Sequence, residues 1–349
     1  MSRLWAPVAF SLACILLSDA HKCPSTNQCV PKENCRLEEP IFDLSSTIDC
    51  SDSEVCCEKS NVIGITQRPM TLSPGTLCGM SNPSGLDESR QVHGDQARPG
   101  QFPWVMALLH KGQYFGGGSL ITPGLVLTAA HILVRKSRVH IKVRAGEWDL
   151  STTAEIPPPE DRQVTKIISH KAFNYSSGAN NMALLFLDSP FELKSHIQII
   201  CLPISGETFE GRRCTVAGWG KRSFSDAKLE TIQQKVEVPI IDGLKCQDQL
   251  RQTRMGTNYQ MPDSLICAGG EQGRDSCSRF GGSALFCSLT DDPNRFEQAG
   301  IVNWGIECGQ ENVPATYTHV SKFKEWINPH LEQVFSVPGD LVSSISSLL

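Results

Sequence analysis

Fifteen cysteines spread unevenly along 349 residues constrain this chain more than any other feature. Six lie between Cys23 and Cys57, eight are scattered from Cys78 to Cys308, and Cys14 stands apart near the start. The spacings are not those of paired C-x-x-C metal ligands, so disulfides formed in an oxidising compartment are the expected use. The stretch CPSTNQCVPKENC…DCSDSEVCC, residues 23–57, is too short to fold on an apolar core of its own, and three crosslinks must hold it. Cys56 and Cys57 are adjacent and cannot easily pair with each other, so each reaches back to an earlier cysteine. Many connectivities satisfy that condition, and spacing alone does not choose among them.

The N-terminus agrees with an oxidising destination. Arg3 precedes an apolar run from Val8 to Leu17, which Ser18-Asp19-Ala20 follows; this is the layout of a secretory signal peptide cleaved after Ala20. A membrane anchor needs about 20 apolar residues, and no stretch here is that long. Loss of the leader removes Cys14 and leaves an even number of cysteines. A net charge of −5, with no block of like charges standing out, gives no electrostatic case for nucleic acid.

Residues 59–90 are rich in Ser, Thr, Pro and Gly and read as a linker. Within it GLDESRQVHG presents Arg90 in a polar setting where a trypsin-like enzyme could cut before Gln91, whereas proline follows Arg68 and Arg98. Beyond Gln91, short β-rich runs such as GGSLITPGLVLTAAH, HIKVRAGEWDL and QAGIVNWG alternate with Gly, Pro and Asn turns. That pattern predicts an all-β barrel or sandwich. Only SKFKEWINPHLEQVF has a helical period, with Phe323, Trp326, Ile327 and Leu331 three and four residues apart.

FPWVMAL (102–108), GGSLITPGLVLTAAH (117–131), NNMALLFL (180–187), CLP (201–203), CTVAGWG (214–220), ICAGG (266–270) and NVPATYTHVSKFKEWI (312–327) occur in order. Together they resemble a trypsin-like serine protease domain, and the 23–57 segment resembles the clip domain of arthropod extracellular proteases. The resemblance implies an all-β double barrel closed by a C-terminal helix. It implies a signal peptide over 1–20, a clip domain over 21–58, a linker with its cleavage site over 59–90, a protease-like domain over 91–333 and a flexible tail over 334–349. It also implies the disulfides Cys23–Cys56, Cys29–Cys50, Cys35–Cys57, Cys78–Cys201, Cys214–Cys287, Cys246–Cys267 and Cys277–Cys308. The family's clamp on the histidine loop is missing, because Gly116 and Ile132 occupy its two positions.

A serine protease needs a hydroxyl nucleophile, an imidazole base, a carboxylate that orients the base, and N–H donors for the oxyanion. By motif, LTAAH places His131 at the base position, NNMALL puts Asn181 where the family has aspartate, and RFGGSA puts Gly281 at the serine position. In enzymes of this kind the aspartate-to-asparagine change costs about 10⁴ in turnover, and loss of the nucleophile costs about 10⁶. Ser276 and Ser278 lie before the loop, and Ser283 sits two places late. Phe280 replaces the aspartate that pairs with the new terminus after activation, and Arg279 stands at a glycine oxyanion donor. Asp275 matches the floor of a trypsin-type specificity pocket, with Gly305 beside it. Ala315 narrows that pocket, and Asn303 replaces the serine that in the family supports the triad aspartate, so the pocket reads as vestigial.

Asn174-Tyr175-Ser176 is a glycosylation sequon. AEIPPPEDR, between Glu147 and Val164, lies where some relatives bind calcium and reads as a solvated loop; no metal or cofactor is expected. His110 and His140 read as plain surface residues. The implied function is that of a secreted, inactive serine protease homologue in an extracellular cascade of the prophenoloxidase or innate immune type. Its partners would be proteases, zymogens or prophenoloxidase, with an upstream trypsin-like protease as processing enzyme and oligomers possible after cleavage. A module that binds microbial surfaces or matrix, and a residual hydrolase using Ser283, are the other readings.

Overall fold

The computed structural model describes the backbone of strands 21–23, 27–31, 48–50 and 54–58, and residues 78–335 apart from 88, 156, 221–228, 274–279 and 307–308. The signal peptide, the clip disulfides, Cys277–Cys308, Asp275, Ser276, Ser278 and Arg279 fall outside the described residues. So does the tail, apart from the end of the last helix. The chain divides into two units, Met1–Thr71 with Val337–Leu349, and Leu72–Ser336.

In the smaller unit, strand β1 (His21–Cys23) pairs with β3 (Ile48–Cys50), and β2 (Asn27–Pro31) with β4 (Glu54–Glu58), both antiparallel. The second pairing sets Cys29 opposite Cys56 and Gln28 opposite Cys57.

The larger unit holds two closed six-stranded barrels. The first contains β5 (Val105–His110), β6 (Gln113–Thr122), β7 (Leu125–Thr128), β8 (Ile141–Ala145), β9 (Glu160–Ser169) and β10 (Ala183–Leu187), in the order β10-β7-β6-β5-β8-β9. The second contains β11 (Arg213–Gly218), β12 (Gln234–Ile241), β13 (Leu265–Gly269), β14 (Ala284–Ser288), β15 (Phe296–Trp304) and β16 (Pro314–His319), in the order β11-β12-β13-β16-β15-β14. Closure removes the free edges that would otherwise invite pairing with other chains. The β-branched and leucine-rich runs behave as their composition requires: every residue of β7 is buried, as are Ala183, Leu184 and Leu185 of β10.

One apolar cluster runs through both barrels and the C-terminal helix. Trp104 meets Phe286 edge to face at 5.2 Å, and Trp219, Val320, Phe323 and Ile327 belong to the same cluster. Each such fully buried side chain is worth about 1.5–3 kcal/mol, and truncating Trp104 to Ala would cost about 3–5 kcal/mol. A short 3-10 turn at Val320–Phe323 leads into helix α2 (Lys324–Phe335); Phe323 of the turn and Ile327 of the helix enter this core, with Trp326 and Leu331 packed beside them.

A second helix, α1 (Gly243–Arg251), departs from the expectation of a single helical segment. Its apolar signal is thin, because only Cys246 and Leu250 are buried. Capping and crosslinking hold it instead. The Asp242 carboxylate accepts the Lys245 N–H at 2.8 Å, and Cys246 is bonded to Cys267.

Residues 78–87, toward the end of the linker stretch, lie on the barrels. Gly79 N–H donates to the Ile199 carbonyl and its own carbonyl accepts from Phe296, while Leu86 N–H donates to Pro99. Cys78 is bonded to Cys201, and Cys214 to Cys287.

Candidate functional site

His131 follows the end of β7 and opens a 3-10 turn over His131–Leu133. Asn181 precedes β10. Asn180 before it adopts left-handed backbone at φ 54°, a conformation that asparagine tolerates better than most residues, and the chain then delivers Asn181 to a buried position. Gly281 precedes β14, and its carbonyl accepts the Gly117 N–H at 3.0 Å. The glycine run of β6 permits this approach: a Cβ on Gly116 would stand 2.8 Å from the Gly281 carbonyl oxygen.

The structure brings His131, Asn181, Asn303 and Gly281 together. Asn181 Oδ1 accepts the backbone N–H of His131 at 2.9 Å, which fixes which end of the amide is oxygen. Its Nδ2 is therefore the atom 2.7 Å from His131 Nδ1, and it also donates to Asn303 Oδ1. Asn303 Nδ2 donates to the Gly178 carbonyl at 2.9 Å, and Thr318 donates to the Asn181 carbonyl at 2.9 Å. An amide N–H pointing at Nδ1 requires a lone pair there, so the ring proton sits on Nε2. That is the reverse of the tautomer that a base needs for accepting a hydroxyl proton. Burial, and then the Lys136 charge, hold the His131 pKa below the usual histidine range.

Nε2 faces Gly281. A Cβ on Gly281 would lie 3.1 Å from His131 Nε2 and 3.1 Å from Ile132 Cγ2, so the backbone stands where a nucleophile would be carried but bears no side chain. Ile132 fills the neighbouring space: its Cδ1 would lie 2.8 Å from a Cβ on Gly116 and 2.9 Å from one on Gly282.

Ser283 lies elsewhere. It is wholly buried, its hydroxyl has no hydrogen-bond partner among the described residues, and its Oγ sits 2.7 Å from where a Cβ on Gly218 would be. Phe280 is buried in an apolar cluster with Phe209, Leu285 and Tyr317. Gln91, His93 and Gly94 are exposed.

Of the residues that the sequence assigns to a specificity pocket, Asp275 lies outside the described residues, and the other three sit on or beside the paired strands β15 and β16. Asn303 joins the His131–Asn181 network, Ala315 is buried in β16 opposite Ala268, and Gly305 is half-buried. Asn174 is exposed in a turn where its side-chain Oδ1 accepts the N–H groups of Ser176 and Ser177.

Arg90 is not free in solvent. Its guanidinium stacks over Trp148 at 5.3 Å and pairs with Asp87 at 3.4 Å. Beside Trp148, the expected solvated loop is partly buried. Glu147 and Glu155 are both buried; Glu155 Oε1 accepts the Asp149 N–H, and Arg144 donates to Glu147 at 3.2 Å. A proline-flanked acidic run gave no sign that one of its carboxylates would turn inward against Glu147. Burial, and then Glu155, push the Glu147 pKa up to about 8 despite Arg144. Among the described residues no group of three or more His, Cys, Asp or Glu side chains is disposed to hold a metal ion. Nor is any helix among them long and apolar enough to cross a membrane.

The trypsin family profile matches residues 91–327. The chain is 43% identical to "Phenoloxidase-activating factor 2" of Galleria mellonella, over 74% of this chain and 92% of that protein. It is 34% identical to "Inactive CLIP domain-containing serine protease A8" of Anopheles gambiae, over 82% and 80%. It is 33% identical to "Phenoloxidase-activating factor 3" of Holotrichia diomphalia, over 91% and 96%. With two closed barrels, a histidine site without a nucleophile and these relatives, the chain belongs to the trypsin family, as a clip-domain serine protease homologue.

Proposed function

We propose that this chain is a secreted, catalytically inactive protease homologue that regulates an extracellular protease cascade, of the prophenoloxidase or innate immune type, by binding other proteins. The observation that carries the reading is the pairing of His131 with an amide on one side and with Gly281 on the other. A ring with its proton on Nε2 cannot take a proton from an attacking group, and glycine supplies no attacking oxygen. The Ser283 hydroxyl is buried and makes no hydrogen bond to a base among the described residues, which speaks against a hydrolase built on Ser283. The names of the relatives, phenoloxidase-activating factors and inactive CLIP proteases, favour a cascade role over surface recognition.

In this reading an upstream trypsin-like protease cuts after Arg90, and the Cys78–Cys201 bond keeps the two parts joined. The cut does not switch on a catalytic site, because Phe280 offers no carboxylate to a buried ammonium, and an unpaired buried charge is costly. Asn174 carries a glycan in the secreted protein. The test is a fluorophosphonate label applied to the cut protein, alongside reconstitution with a cascade protease and prophenoloxidase. No labelling together with altered phenoloxidase output is expected. Labelling that survives removal of contaminating proteases would overturn the pseudoenzyme reading.

A further inference from the structure

From Gln96 to Gly146 the chain contains no Asp or Glu but seven Lys and Arg, in a protein of net charge −5. Only Arg135, Lys136 and Arg138 stand close together in the sequence, yet the first barrel gathers five of the cations on adjoining segments. Lys111 occupies the β5–β6 turn, Arg135, Lys136 and Arg138 the loop after His131, and Lys142 strand β8. Lys111 N–H donates to the His140 carbonyl at 2.9 Å, Lys136 lies 5.0 Å over the Phe115 ring, and the His110 ring lies 6.2 Å from Phe115 and 5.9 Å from His140.

Few acids answer this charge. Lys142 pairs with Asp161 at 3.7 Å, but Asp161 also holds Arg144, and Asp188 accepts the N–H of Gln163. Lys111, Arg135 and Lys136 make no ion pair among the described residues. Desolvation, and then the charges of Lys136, Lys111 and His140, hold the His110 pKa below its usual value. Lys111 and Arg135 also hold left-handed backbone, at φ 53° and 62°, and are two of four such non-glycine residues among those described. Strain of that kind, kept by two exposed cations on neighbouring loops, marks a shape the fold maintains at a cost. On the same loop Val134 and Val139 are 45% and 60% exposed.

We infer that this face, built on Lys111, Arg135 and Lys136 with Val134 and Val139, docks an acidic protein segment that also carries apolar side chains. Unanswered cations attract and orient an anionic partner. Two exposed valines set among them give apolar anchors that a peptide can use and a sulfated glycan cannot. The surface borders the turn that carries His131, so a docked segment would lie beside the inactive cleft. The inference does not depend on the inactive-homologue reading, because docking and hydrolysis are measured separately.

The test uses the full secreted chain and three probes: a short fluorescein-labelled peptide mixing Glu and Asp with Leu and Phe, polyglutamate, and heparin. Binding of the mixed peptide that weakens with added salt is expected. Reversal at three positions, Lys111→Glu, Arg135→Glu and Lys136→Glu, should lower its affinity at least about tenfold, whereas Lys245→Glu on α1 should not. Val134→Ser with Val139→Ser should weaken the mixed peptide but not polyglutamate. If the triple reversal melts early, Gln at the same three positions serves instead. The proposal is overturned if the wild-type chain does not bind the mixed peptide, if reversal leaves the affinity unchanged, or if heparin alone binds.

Discussion

Asn181 holds His131 at both ends: Oδ1 takes the backbone N–H at 2.9 Å, and Nδ2 lies 2.7 Å from Nδ1. One amide thus fixes the imidazole in place and sets its proton on Nε2. In ¹⁵N-resolved NMR the wild-type ring should show a neutral Nε2–H tautomer. Asn181→Asp should move the proton to Nδ1 and raise the His131 pKa, because a carboxylate accepts and stabilises the charged ring. An unchanged tautomer in that variant would refute the arrangement.

Restoring the missing oxygen alone should not restore hydrolysis. Gly281→Ser would place its Cβ 3.1 Å from both Nε2 and Ile132 Cγ2, so the histidine loop must yield by a few tenths of an ångström. Without the carboxylate about 10⁴ in turnover remains lost. Peptide-ester hydrolysis by Gly281→Ser should stay at background, and the double variant with Asn181→Asp should rise only slightly. A brisk single variant would contradict this.

The histidine loop can be clamped again. A Cβ on Gly116 would stand 3.8 Å from Ile132 Cβ, the usual separation across a disulfide. Gly116→Cys with Ile132→Cys should therefore crosslink on oxidation. A bond closing a loop of this size is worth about 3 kcal/mol, reduced by the shift needed to clear the Gly281 carbonyl at 2.8 Å. Thermal melting of the oxidised double variant against Gly116→Ser with Ile132→Ser, both without reductant so that the native disulfides stay intact, measures the gain.

The Glu147–Glu155 contact makes stability fall as pH rises. Glu147 titrates near 8 in the folded chain against 4.5 for the free side chain, so between those values the folded state binds the extra proton. The stabilisation is complete below the unfolded value and is lost as pH climbs through about 8. Glu147→Gln should flatten the pH dependence of the denaturation midpoint over that window and leave the protein relatively more stable at its alkaline end.

Cleavage after Arg90 should give one band on a non-reducing gel and two after reduction, because Cys78–Cys201 spans the cut. Arg90 is held by Asp87 and Trp148, so Asp87→Asn should speed cutting by a trypsin-like protease. Arg90→Gln should abolish it.

The all-β character and the C-terminal helix were legible in the chain because β-rich runs, turn residues and the spacing of Phe323, Trp326, Ile327 and Leu331 are local signals, whereas the double barrel followed from the resemblance of the ordered motifs to the trypsin-like family. Asn181 and Gly281 were legible as substitutions within motifs. Helix α1 was not, since one cap and one crosslink hold it in place of an apolar stripe. The family motifs already set Asn303 behind Asn181, but the chain alone could not show that Ser283 would be sealed inside or that Glu155 would meet Glu147. Which residues are present, and so which chemistry is lost, is a property of the sequence. Hydrogen-bond direction, burial and the gathering of like charge depend on distances between residues far apart in the chain, and only tertiary packing sets those.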